Sequence, residues 1–286
     1  MISQASAADL LREKSCFVID LDGVVYKGKQ AIAGASAAIQ KFRELDKKIA
    51  FLTNNSASST ETIMHKLHSF GISCDRQEIL TAAQASASYI AQHQIDQGKG
   101  VLVIGTDALK DEVIEHGLRL ADADHCGVVL VGLDPKFDYA AIAIALRALT
   151  QDAIFVACNR DANFPVEGGY LSPGCGAMVG AIESAIAREA DFEIGKPNTI
   201  MLDILSDRMQ VLRTDCLMIG DMLASDILMA NNANIASIWI SETLIYPNQH
   251  INKRANKRTN THINEEQNSP QPSFCMSSLD QISQIM

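Results

Sequence analysis

A chain of 286 residues, 47% hydrophobic and 20% charged with 17 glycines and 7 prolines, has the makings of a full buried core, which excludes disordered, collagen-like and disulfide-knot classes. At this length two medium domains are the expectation. The 24 Lys and Arg against 34 Asp and Glu leave a formal charge of −10, which repels polyphosphate backbones and anionic membranes, so neither a nucleic acid polymer nor a membrane is expected as a partner.

The first fifteen residues, MISQASAADLLREKS, read as a short amphipathic helix and lack the basic start and apolar stretch of a secretory signal. Residues 16–21 (CFVIDL) form the first strand. Residues 34–46 place Ala35, Ala38, Ile39, Phe42 and Leu45 on one helical stripe, and 48–53 (KIAFLT) is a second buried strand. Ser58 with Glu61 predicts a capping box, followed by a helix with Ile63, Leu67 and Phe70 on its inner face and Gly71 at its end. Strands at 101–105, 127–131 and 153–157 alternate with helices at 107–116 and 138–149. The second helix starts at the cap Asp138 and carries Tyr139, Ile142, Leu146 and Leu149 at core spacing. After a glycine-rich stretch, 167–176, come a helix through Arg188, the string Gly195-Lys196-Pro197, a helix at 198–209, a strand at 216–220 (CLMIG), a helix near 224–231 and a strand at 235–240. Residues 246–271 are polar and read as a solvated segment, and 273–285 pack back as a short strand and helix.

Alternating strands and helices build parallel sheet covered on both faces, so the fold class is α/β with a doubly wound, Rossmann-like core. The style of the first 70 residues resumes late in the chain. A core interrupted by an insert explains this order: residues 1–79 and 183–286 as the core, 80–182 as an inserted α/β cap domain. Seven cysteines, at 16, 74, 126, 158, 175, 216 and 275, are an odd set without a C-x-x-C pair, which points to buried thiols in a reducing compartment. With no apolar run near the roughly 18–20 residues that cross a bilayer, a cytoplasmic protein is expected.

Four strings at strand ends or helix starts carry chemistry. Ile19-Asp20-Leu21-Asp22-Gly23 ends a strand in two carboxylates two residues apart, where open α/β sheets place ligands. Like charges so close are costly unless a cation joins them, and Mg²⁺ suits oxygen donors; a plain solvated turn is the alternative. Thr53-Asn54-Asn55-Ser56 precedes a helix, and its hydroxyl, amides and free N–H groups suit phosphate oxygens or ordinary turn capping. Lys196, between glycine and proline, is either a fixed charge for a phosphoryl group or a surface lysine. Gly220-Asp221, with Asp226 five residues on, adds Asp221 as a further metal ligand and Asp226 in the first turn of a helix, where the helix dipole alone also favours it.

In that order these strings resemble the haloacid dehalogenase-like phosphatase superfamily, in particular the group with a large α/β cap between the second and third motifs. The strings V-G-L-D near 131, N-R-D-A-N-F-P near 159 and P-G-C-G-A near 173 are also similar to it. The resemblance implies a Mg²⁺-dependent phosphatase acting on a small phosphorylated metabolite. Asp20 would be the nucleophile that forms an aspartyl-phosphate, and Asp22 the acid and base. Asp20, Asp22 (through its backbone carbonyl) and Asp221 would hold the metal, Thr53, Asn54, Asn55 and Lys196 would surround the phosphoryl group, and Asp226 would support them from behind. The cap would act as a lid, with Asn159, Arg160 and Asp161 and the loop 167–176 as specificity candidates, and it offers a surface for homo-oligomer formation. Two features depart from the family: Ala230-Asn231-Asn232-Ala233-Asn234 stands where glycines are usual, and the strand Ser237-Ile238-Trp239-Ile240 lacks a Thr-Gly ending. They leave open an enzyme relic that binds phosphate metabolites without turnover. A receiver-like phospho-aspartate module shares the acidic pocket, Thr and Lys, but does not need the insert.

Overall fold

The computed structural model describes residues 4–166, 170–241 and 270–286. Most of the expected polar segment 246–271, and residues 167–169 of the glycine-rich loop, lie outside the described residues.

Six strands form a parallel sheet in the order Phe274–Met276, Ala236–Ile240, Cys216–Gly220, Cys16–Ile19, Lys48–Thr53, Ile79–Thr81. Cys16–Ile19 sits inside the sheet and is buried on both faces, hence its unbroken apolar run. Phe17, Ile19, Phe51, Leu217 and Ile219 point to one side and pack with Leu11, Ala38, Phe42, Leu67 and Ile282 from four helices, Gln4–Glu13, Ala35–Glu44, Thr60–Ser69 and Leu279–Ile285. Cys16, Val18, Ala50, Leu52 and Met218 point to the other side, against helices Ala82–His93 and Ile200–Met209.

A second parallel sheet has the order Phe192–Glu193, Ile154–Ala157, Val128–Val131, Val101–Ile104. Its strands come from between the two halves of the first sheet. Its last strand lies beyond the return expected near residue 182, which falls inside helix Cys175–Ile186. The two-residue strand Phe192–Glu193 is too short to show in the apolar pattern. The apolar cluster on the far side of the first sheet runs without a break into this layer, through Val101, Val129, Val131 and Phe155.

Local details differ from the sequence reading for identifiable reasons. The helix Thr60–Ser69 is capped by Ser59, whose hydroxyl accepts from the Thr62 N–H, one residue later than the expected Ser58 box; Glu61 instead pairs with Arg76. In helix Tyr139–Leu149 the cap Asp138 is as expected, but the inner face is Ala145, Ala148 and Leu149, and Tyr139 is 84% exposed. All seven cysteines are free, and only Cys275 is exposed. Among the described residues no helix is long and apolar enough to cross a membrane.

The departures around residue 232 are put to use. Asn234 takes the left-handed conformation (φ 54) that a glycine would otherwise supply, which asparagine tolerates best among the larger residues. The Asn231 carboxamide donates to the Gln271 carbonyl and accepts from its N–H, tying down the C-terminal strand, while Asn232 Nδ2 donates to the Pro197 carbonyl at 3.1 Å. Trp239 Nε1 donates to the Asp221 carbonyl at 2.8 Å.

Candidate active site

Register brings the site together. Ile19 lies beside Ile219 on one neighbouring strand and Phe51 on the other, so Asp20, Asp221 and Thr53 leave the sheet at the same edge. The Asp20 N–H continues the ladder by donating to the Ile219 carbonyl at 2.9 Å. Just beyond, Gly23 has φ +84, and a side chain there would overlap the Asp221 carboxylate, so glycine is needed for both conformation and space. Gly220 does the same for Asp226: a methyl at 220 would overlap its side chain.

Lys196, 3% exposed, spends its ammonium on three acceptors: Asp20 Oδ1 at 2.5 Å, Asp226 Oδ1 at 2.6 Å and the Leu52 carbonyl at 3.2 Å. The other Asp226 oxygen accepts from the Met222 N–H at 3.0 Å, so both its oxygens have partners. Among the described residues, the group of carboxylates able to offer oxygens within 4.8 Å of one another is Asp20, Asp221 and Asp226. The Asp22 carboxylate is not in that group, and the ligand expected from Asp22 is its backbone carbonyl. Asp221 Oδ1 is buried with no partner among the described residues. Three acids against one lysine, one with an orphaned buried oxygen, make a donor set that fits a hard divalent cation.

Charge and burial tune each acid differently. Burial pushes the Asp20 carboxyl well above the usual 3.8, with Lys196 opposing and Asp226 and Asp221 adding to the rise. Burial, then Asp226, pushes Asp221 up to about 7. For Lys196 burial works against the charge, but Asp20 and Asp226 outweigh it and raise its pKa above the usual lysine range. Asp22 stands at the mouth of the site with its side chain partly open to solvent; desolvation by the surrounding protein raises its pKa, against the pull of Lys66 and Lys196. Tyr26 pairs with Asp22 in a backbone bridge, and Lys66 Nζ lies 3.3 Å from the centre of the Tyr26 ring.

The side chains of the asparagines expected around a phosphoryl group bond to other parts of the protein. Asn54 Oδ1 accepts from the Lys196 N–H at 2.8 Å, and its Nδ2 donates to the Lys196 carbonyl at 3.1 Å and to the Asp161 carboxylate at 3.1 and 3.2 Å. Asn55 Oδ1 accepts from the N–H groups of Ala57 and Ser58, a turn cap, while the Asn55 N–H donates to Thr53 Oγ1. Asn159 Nδ2 donates to the Asn54 carbonyl at 2.7 Å, and its Oδ1 accepts from the Asp161 N–H. Arg160 is committed elsewhere, bidentate to Glu183 and bonded to Glu193 at 2.7 Å, so its charge is neutralised within the second sheet's layer. The sequence assigns no site role to Tyr26, Lys66 or Trp239. Tyr26 follows the first motif string by three residues, which is a signal; Trp239 stands out only within the strand that lacks a Thr-Gly ending, and Lys66 has no motif around it.

Comparison with known proteins agrees with this geometry. The family model for haloacid dehalogenase-like hydrolases matches residues 17–119, and a second, HAD-hydrolase-like, matches 193–264. An acid sugar phosphatase of Staphylococcus haemolyticus is 31% identical over 224 residues, 78% of this chain and 84% of the relative. The p-nitrophenyl phosphatase from Archaeoglobus fulgidus superposes with a TM-score of 0.83 at 27% identity, over 96% of this chain and 100% of that one. A glycerol phosphate phosphatase from Mycobacterium tuberculosis in complex with magnesium gives 0.79 at 28% identity, over 96% and 77%.

Proposed function

The chain belongs to the haloacid dehalogenase-like hydrolase family, and from that membership we propose that it is a magnesium-dependent phosphatase hydrolysing a small phosphorylated metabolite through an aspartyl-phosphate. The observation that carries this reading is a buried lysine bridging Asp20 and Asp226 beside the partnerless oxygen of Asp221. Relatives named as sugar, glycerol and nitrophenyl phosphatases support phosphate-ester hydrolysis as the reaction class.

Asp20 attacks phosphorus while Asp22 protonates the departing alcohol; Asp22 then takes a proton from the water that cleaves the acyl phosphate. The two carboxylates are suited to different roles, since the Lys196 ammonium 2.5 Å from Asp20 Oδ1 favours its ionised form against burial, while desolvation raises Asp22 toward the protonated acid. Acid–base help contributes about 10²–10⁴ against accelerations of up to about 10²¹ for phosphate monoesters, so most of the barrier must fall to charge and positioning. Lys196, whose three hydrogens go to Asp20, Asp226 and Leu52, supplies part of that as a fixed positive charge beside the nucleophile, and the Thr53 hydroxyl, whose oxygen accepts from the Asn55 N–H, supplies a donor for a phosphoryl oxygen. Magnesium, held by Asp20, Asp221 and the Asp22 carbonyl, would supply the remaining positive charge. The layer containing 101–193 is an inserted cap that covers the site. Asn231, Asn232, Asn234 and Trp239 each have a structural task, so the departures there do not favour the relic reading over the enzyme.

The test is turnover of p-nitrophenyl phosphate with and without Mg²⁺, in the wild type and in Asp20→Asn. Multiple turnover in the wild type and none in the folded variant is the expected result. Undiminished hydrolysis by the variant removes Asp20 as nucleophile, and a stable stoichiometric phospho-aspartate in the wild type favours the signalling module instead.

A further inference from the structure

Asn54 joins three stretches of chain that are far apart in sequence, through bonds to residues 107 and 142 positions away. Its carboxamide pairs with Lys196 as a neighbouring strand would, accepting from the N–H and donating to the carbonyl. Its second amide hydrogen goes to Asp161, whose own N–H is held by Asn159. A primary amide has two hydrogens, and both are spent within the protein, so none is left for a phosphoryl oxygen. The oxygen and nitrogen cannot be exchanged, since one end faces an N–H and the other two acceptors. Gly195 fits the same arrangement: a methyl there would lie 2.7 Å from Asn54 Oδ1 and from Asn159 Cβ, tighter than real contacts allow.

Lys196 is therefore fixed at both ends. Asp20 and Asp226 hold its ammonium, and Asn54 holds its backbone. We propose that Asn54 is a positioning residue that sets Lys196 against Asp20 and ties that setting to the 159–161 segment, and that its side chain does not bind phosphate. The catalytic consequence rests on the phosphatase reading; the geometric claim does not. Without the carboxamide, Lys196 loses a backbone donor and acceptor pair and its ammonium shifts relative to the nucleophile. Displacements of about 1 Å in such sites cost on the order of 100-fold in rate.

The test uses the full chain with Mg²⁺ and p-nitrophenyl phosphate, comparing Asn54→Ala, Asp161→Ala and the double variant, with inorganic phosphate as the competitive probe. A positioning role lowers kcat by about 100-fold in Asn54→Ala while KM and inhibition by phosphate change less than about threefold. The double variant is then scarcely worse than Asn54→Ala alone, because both act through one network. A matching loss of phosphate inhibition would make Asn54 a phosphate ligand and overturn the proposal, as would unchanged kcat in a destabilised protein. A crystal structure of Asn54→Ala decides the geometry independently of turnover: Lys196 Nζ still within hydrogen-bond reach of both Asp20 and Asp226, in its present place, refutes the clamp. An inactive wild type would count against the phosphatase reading, with that crystal structure still deciding the clamp.

Discussion

Lys196→Met keeps the buried aliphatic stem and removes the one ammonium that bridges Asp20 and Asp226 at 2.5 and 2.6 Å. All three groups are nearly inaccessible, so the charges left behind are neither hydrated nor screened. Removing one partner of a buried ion pair costs about 3–5 kcal/mol. At about 2–4 °C per kcal/mol for long chains, melting should fall by roughly 6–20 °C. The loss should depend on pH in a definite direction. Burial already raises the Asp20 carboxyl well above 3.8 with the lysine present, and without its opposing charge the rise is larger. A carboxyl raised in the folded state favours folding in its protonated form; that contribution is complete below the unfolded value and is lost as pH climbs through the folded one. The gap between wild type and variant should therefore be wider at pH 8 than at pH 5. Differential scanning calorimetry in EDTA measures it, and equal melting temperatures, or a gap that does not widen with pH, would show that the lysine does not carry the charge balance.

The same acids should report the metal. Burial and Asp226 raise Asp221 to about 7, so its contribution to stability in the metal-free protein is present below 3.8 and gone once pH passes about 7. A divalent ion needs the ionised form, so saturating Mg²⁺ should raise the melting temperature more at pH 8 than at pH 5.5; an increment independent of pH would contradict Asp221 as a ligand. Gly23→Ala forces a side chain into a left-handed backbone and onto the Asp221 carboxylate. It should destabilise the fold by about 1–2 kcal/mol from the backbone alone and weaken Mg²⁺ binding further, with denaturant unfolding and calorimetric titration as readouts, and unchanged values in both would remove the steric argument.

Much of this was legible where residue chemistry and strand ends coincide. Asp20, Thr53, Lys196 and Asp221 each follow an apolar run or open a helix, and two neighbouring strands in register bring three of them to one edge. Helix Ala82–His93 escaped notice because its buried positions are small residues on nearly every side, which erases the 3.6-residue period. The use of Asn54 was hidden for a different reason. A T-N-N-S string offers amides to any acceptor, and only the folded chain shows that the acceptors are Lys196 and Asp161. Likewise Arg160 reads in the sequence as a specificity candidate of the cap, and its partners Glu183 and Glu193, 23 and 33 positions along the chain, show only in the fold.

The apolar cluster that passes from one sheet into the other constrains how cargo reaches Asp20. Moving one layer away from its neighbour would expose part of the apolar cluster they share, at a cost that grows with the apolar area wetted. Small shifts of packed helices past one another would wet less of it, and the Ala-rich helix Ala82–His93, packed against Asp107–Glu115 and Ile200–Met209, is where such shifts meet few large side chains.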